Sequence, residues 1–200
     1  MQSYREAIAA YILEQAKPVD KFGHQPRLYE LAREVGLGLS YDDDVLYAAA
    51  WMHDLGVFVG HRPTELDALA RWNNVTYAIE KTPEILRRFG FPEEKIPAVL
   101  EAIRTHQPNA DATTTEAVIL RDADILEQLG AVGVLRAVGK IGRDTRYPTF
   151  TAVTATLSQA LATLPGRITL DSARTLAEPK IRVLDEFLKA VEVEARGALY

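Results

Sequence analysis

The chain has 200 residues and a mass of 22.2 kDa, enough to bury a substantial core. Hydrophobic residues make up 48% and charged residues 26%, with prolines and glycines scattered singly, which excludes a disordered, collagen-like or low-complexity chain. The absence of cysteine excludes disulfide scaffolds, thiol nucleophiles and Cys-based metal sites, and a net charge of −5 with neither half basic argues against nucleic acid as a partner.

Helical periodicity dominates from the start. Ser3 with Glu6 forms a capping box that opens a helix from Tyr4 to about Ala16, closed by Pro18. Arg5, Glu6 and Glu14 interrupt any apolar run there, so no signal peptide is read and the expected location is cytoplasmic. Pro26 suits the first turn of a second helix, which runs to Val35 and stops at Gly36 and Gly38. Asp42 to Asp44 place acid at the start of a third, whose body is VLYAAAWMHDL and whose end is Gly56. Thr64 with Asp67 caps a fourth from Glu65 to about Glu80, and Thr82 with Pro83 starts a short fifth that ends at Gly90. A sixth spans roughly Glu93 to His106, bent or restarted at Pro97.

A polar loop, Gln107 to Thr114, precedes a seventh helix from Thr115 to Leu129, ended by Gly130. The eighth runs from Ala131 to Ile141 and leads into a loop from Gly142 to Thr149. The uncharged stretch Tyr147 to Gly166 has its large apolar residues at Val153, Leu157, Leu161 and Leu164, one stripe at helical spacing. It therefore predicts a half-buried helix, Phe150 to Leu164, and no membrane span or membrane partner. The last helix spans Asp171 to about Ala198 with an interruption at Pro179; its stripe of Ile181, Leu184, Leu188 and Val191 suits core packing or a dimer seam. No stretch alternates as a strand does. The chain is expected to be all-α, one domain over residues 1–200, monomeric or a homodimer.

The chemistry concentrates in few residues. The four histidines are His24, His53, His61 and His106. His53 is followed by Asp54 where an apolar helix runs out towards Gly56, and two neighbouring side chains converge on one point only where a helix ends. A buried, hydrogen-bonded histidine and a polar terminal acid are the plainer reading of that pair. His24 stands at a helix start in HQPRLYELA, and Asp122 and Asp124 interrupt the apolar segment AVILRDADILEQLG. Acids in such a segment are costly unless paired or bound to a metal. Two imidazoles and two carboxylates suit a divalent ion with mixed N/O ligands.

In order and context these residues resemble the HD-domain superfamily of metal-dependent phosphohydrolases. The resemblance rests on His24 and Arg27 in H-x-x-R-L, on AAAWMHDLG, and on LRDADILEQLGAVGVLR, with His106 in the helix between. It covers roughly residues 15–150, and the ordered set is spaced by 29 and 70 residues. It implies an HD-type helical bundle of about nine to ten helices, with its core at about 15–150 and the helices of 150–200 packed upon it. It implies His24, His53, Asp54 and Asp124 as metal ligands. Periodicity alone names Asp122 the more buried acid, whereas the family pattern aligns its ligand with Asp124 and leaves Asp122 a supporting or helix-locking role. Glu127 stands where the family branch has Asp. Asp54, His106, Arg27 and Arg136 are the expected catalytic and phosphate-contacting residues, with Arg121, Lys140, Arg143 and Arg146 as further cations. His61 lies too close to the dipeptide to serve a second ion, so one divalent metal is expected, from among Mn, Co, Ni, Fe, Zn and Mg.

The implied reaction is hydrolysis of a phosphate ester or anhydride by a metal-bound water, on a nucleotide or other small phosphorylated metabolite. The alternatives are a non-catalytic sensor module that binds a nucleotide or metal, and a di-iron oxygenase of the same superfamily.

Overall fold

The computed structural model describes residues 3–143 and 147–200. Arg146 and the middle of the expected Gly142 to Thr149 loop lie outside the described residues. The described residues form ten α-helices, and their sole β-type pairing is an isolated bridge between Val59 and Arg62. The fold is all-α. None of these helices is long and apolar enough to cross a membrane.

The chain divides into two compact units, Met1–Arg121 and Asp122–Tyr200, and the division falls inside one helix. The first unit contains α1 (Tyr4–Gln15), α2 (His24–Val35), α3 (Asp43–Met52), α4 (Leu66–Ala70), α5 (Asn74–Arg88), α6 (Ile96–Thr105) and the start of α7 (Thr115–Gln128). The second contains the end of α7, then α8 (Gly130–Val138), α9 (Phe150–Thr163) and α10 (Asp171–Ala195).

The capping box at Ser3 and Glu6 is present. α3 is the centre of the first unit: every residue from Val45 to Met52 is buried, and α1, α2 and α6 pack against it. A helix apolar on all sides can only be stable when enclosed in this way, and the run Ala48, Ala49, Ala50 lets its neighbours approach closely.

Its N-terminus is held by charge. Asp42 accepts from the backbone N–H groups of Asp44 and Val45. Arg5 reaches Asp44 at 2.6 Å and Asp43 at 2.8 Å, Lys95 reaches Asp44 and Asp42 at 2.8 Å, and Tyr29 donates to Asp43. Burial alone raises the Asp44 carboxyl, but hydrogen bonds from Arg5, Lys95 and Tyr4 outweigh it and hold the group well below its usual 3.8. A depressed folded pKa gives stability that is fully present above the unfolded value near 3.8 and is lost as pH falls from there towards the folded value. Urea midpoints measured between neutral pH and about pH 3 should therefore fall, and Asp44→Asn should flatten that slope. An unchanged slope in the variant would remove Asp44 from the acid response.

Four of the helix boundaries differ from the sequence reading. The expected helix from Glu65 to Glu80 is broken: α4 stops at Ala70, and Asn73 caps a new helix by accepting from the Thr76 N–H. Between them Trp72 turns inward, donating Nε1–H to the Gly56 carbonyl at 2.8 Å and lying against Tyr77. The expected restart at Pro83 does not occur, because α5 runs through it to Arg88. The expected interruption at Pro179 is likewise absent, and α10 is continuous from Asp171 to Ala195. Both prolines lie outside the buried core, where water can take the carbonyl each leaves without a donor. α3 also ends earlier than expected, at Met52, with Leu55–Val57 forming a single 3₁₀ turn.

In the second unit α8 and α9 pack against α10 and against each other. Gly130 has φ +71°, the left-handed conformation that lets the chain turn sharply between α7 and α8. The stripe on α10 is buried at Leu184 and half-buried at Ile181, Leu188 and Val191.

Candidate metal centre

Two of the sequence candidates owe their pose to the same local device. His53 is the C-cap of α3, and its ring curls back so that Nδ1–H donates to the Ala50 carbonyl at 2.9 Å. A carbonyl can only accept, so Nδ1 carries the proton and a neutral His53 presents the lone pair of Nε2. His106 repeats this at the end of α6, with Nδ1–H donating to the Ile103 carbonyl at 2.6 Å. Both rings are buried, and their centroids lie 5.0 Å apart. Two helix C-termini thus bring their partial negative charge to one place, which favours a cation there.

His24 opens α2 and is also buried. Its Nε2 lies 3.3 Å from Nε2 of His53, the rings meeting edge to face. Two imidazole lone pairs at that distance need a proton or a metal ion between them. Asp54 leaves the helix at φ −99°, ψ 12°, and this carries its carboxylate back over the same point. Oδ2 lies 3.7 Å from Nε2 of His24 and 3.6 Å from Nε2 of His53. His24, His53 and Asp124 each offer one ligand atom, all within 4.8 Å of one another. A set of imidazole nitrogens and carboxylate oxygens, with His53 held by a carbonyl behind it, fits a divalent ion of borderline softness.

The remaining candidates are distributed differently. Asp122 is fully buried, and its Oδ2 accepts from the backbone N–H groups of Thr169 and Leu170 at 2.9 and 2.7 Å, where α10 begins. Arg27 is exposed on α2, and its guanidinium folds back over Gly23, towards the end of the helix that carries His24. Arg136 bonds to the carbonyl and carboxylate of Glu127, whose side chain is buried. Arg121 is buried and donates to the Ala110 carbonyl, and Lys140 lies over the Tyr147 ring. His61 is braced between Gln15 and Tyr77, at 2.9 and 3.0 Å. Burial lowers its pKa below the usual 6.5, which keeps it neutral in that brace.

Gly56 is required by close approach rather than by its own torsion: a Cβ there would lie 2.6 Å from the Asn74 carbonyl. Sequence reasoning missed Gln128, whose amide donates to the Asp124 carboxylate and carbonyl, each at 3.2 Å. It also missed the Ala50 and Ile103 carbonyls, although a histidine just past a helix end is the local signal for both.

A family model described as HD domain matches residues 22–129, more than half the chain. The chain belongs to the HD domain family. The match runs from just before His24 to just after Asp124, so the whole candidate centre of this HD domain lies within it. Among solved structures, the Lin1889 protein from Listeria innocua is 19% identical with a TM-score of 0.72, covering 98% of this chain and 97% of that one. YpgQ from Bacillus subtilis is 23% identical with a TM-score of 0.73, covering 96% and 95%. A predicted HD superfamily hydrolase from an uncultured Thermotogales bacterium is 23% identical with a TM-score of 0.65, covering 96% and 93%. At these identities the likeness is one of fold. No curated protein matches the chain.

Proposed function

We propose that this HD domain is a metal-dependent phosphohydrolase acting on a nucleotide or another small phosphorylated metabolite. The observation that carries the reading is the convergence of the His24 and His53 imidazoles with the Asp54 and Asp124 carboxylates. The substrate class draws support from a structure of B. subtilis YpgQ, a protein of the same fold, described as in complex with ADP.

His24, His53, Asp54 and Asp124 would hold the ion. When bound, a divalent ion at such a site acidifies a water and draws charge from a phosphate oxygen. The chain's own residues supply the rest. Asp54, 21% exposed, can orient the attacking water and accept its proton. His106 has Nδ1–H fixed on Ile103, so its Nε2 is free of that bond to take a proton, and once protonated it can hold a phosphate oxygen. Arg27, exposed one turn from His24, supplies a guanidinium fork for the phosphate. Arg136 is engaged by Glu127 and steadies the join of α7 to α8.

The test is elemental analysis of the untagged protein, followed by phosphate release from nucleoside mono-, di- and triphosphates in Mn(II), Co(II) and Ni(II). About one transition metal per chain and metal-dependent release are expected. No uptake after reconstitution would leave a binding module, and two irons per chain would point to oxidation instead.

A further inference from the structure

Gln128 is the last residue of α7 and lies one turn beyond Asp124. Its Nε2 donates at once to the Asp124 main-chain carbonyl and to Oδ2 of its carboxylate, each at 3.2 Å. The bond to the carbonyl anchors the amide on the helix itself, so the bond to Oδ2 fixes the torsion of the aspartate side chain and not merely its charge. An aspartate in the last turn of a helix otherwise exchanges between rotamers that turn its oxygens in different directions. An ionised carboxylate offers about four acceptor positions, and the bond from Gln128 takes one of them on Oδ2. The arrangement matches what Ala50 does for His53: a donor–acceptor pair on the same helix sets the pose of a group aimed at the centre.

We infer that Gln128 is a positioning residue for the metal centre, acting through Asp124 to hold its carboxylate ready for the ion. This rests on the metal-binding reading above. Gln128 is half-buried, so replacing it leaves no fully enclosed void in the fold. Gln128→Met keeps length and helix propensity and loses the donor, and Gln128→Leu does the same with a different shape.

The experiment measures the dissociation constant for Mn(II) by competition with a chelator, beside thermal melts with and without the ion, for wild type and both variants. The expected result is weaker binding by about 10- to 100-fold in both variants. Melting of the metal-free protein should stay unchanged, while the rise in Tm on adding Mn(II) shrinks. Wild type that binds Mn(II), with variants matching it within about twofold, would overturn the role of Gln128 and leave the centre standing. A fall in metal-free stability that tracks the loss of affinity would overturn it too, by making Gln128 a packing residue. Wild type that takes up no Mn(II) would overturn the centre and this role together.

Discussion

His53→Ala is expected to leave a folded protein without its metal. The ring supplies one convergent Nε2 and, through Nδ1–H, the donor for the Ala50 carbonyl at the end of α3. Losing the second bond leaves a buried carbonyl without that donor, at a cost of about 1–3 kcal/mol. Losing the first removes the imidazole nitrogen that lies 3.3 Å from Nε2 of His24. Elemental analysis should find metal reduced to background, and phosphate release should fall on the order of 10³-fold or more, because an unassisted water stays far from its required ionisation. Asp54→Ala, on a partly exposed side chain, is the companion variant. It should lose turnover with less disturbance of the core, and circular dichroism should show helix content unchanged in both. Normal metal content in His53→Ala would sink the proposed centre.

Asp122→Ala and Asp124→Ala should separate cleanly, although the two acids are two residues apart. Asp122 is fully buried and accepts two backbone N–H bonds at the start of α10, from residues 47 and 48 positions later in the chain. Hydrogen bonds to an ionised group contribute about 1.5–3 kcal/mol each, so removing this carboxylate should cost on the order of 3–5 kcal/mol. For a chain of this size that corresponds to a fall in Tm of roughly 10 °C, while metal content at low temperature stays near that of wild type. Asp124→Ala should do the reverse: metal lost, with Tm of the metal-free protein little changed. Calorimetry beside elemental analysis reads both. An Asp122→Ala protein that melts like wild type but holds no metal would reverse the two assignments.

That pair also shows where sequence reasoning reached its end. Helical periodicity names Asp122 the more buried acid, and it is, at 0% exposure against a half-buried Asp124. Burial alone does not give the role, because low exposure says that a carboxylate is enclosed and not which group encloses it. The partner decides, and the partner of Asp122 lies at Thr169 and Leu170. Arg136 follows the same rule. On its helix it reads as a cation available to a phosphate, and in the folded chain it is engaged by Glu127. The break at Trp72 follows it too, since an indole donating to the Gly56 carbonyl outweighs a helical pattern that would otherwise run on.

What the sequence by itself determined was local chemistry. It held the 3.6-residue period that makes the chain all-α, the Ser3–Glu6 capping box, and His24, His53, Asp54 and Asp124 within the stretch that the HD domain model matches. These are legible because a cap, an amphipathic face and a metal-ligating side chain are each recognisable from residue type and near neighbours. The tertiary structure alone decided that two imidazole nitrogens meet at 3.3 Å, that Asp122 holds the backbone where α10 begins, and that two prolines sit inside helices without breaking them. The physical reason is that these outcomes depend on which polar group, apolar face or carbonyl from far along the chain arrives to satisfy each residue, and local pattern carries no record of that arrival.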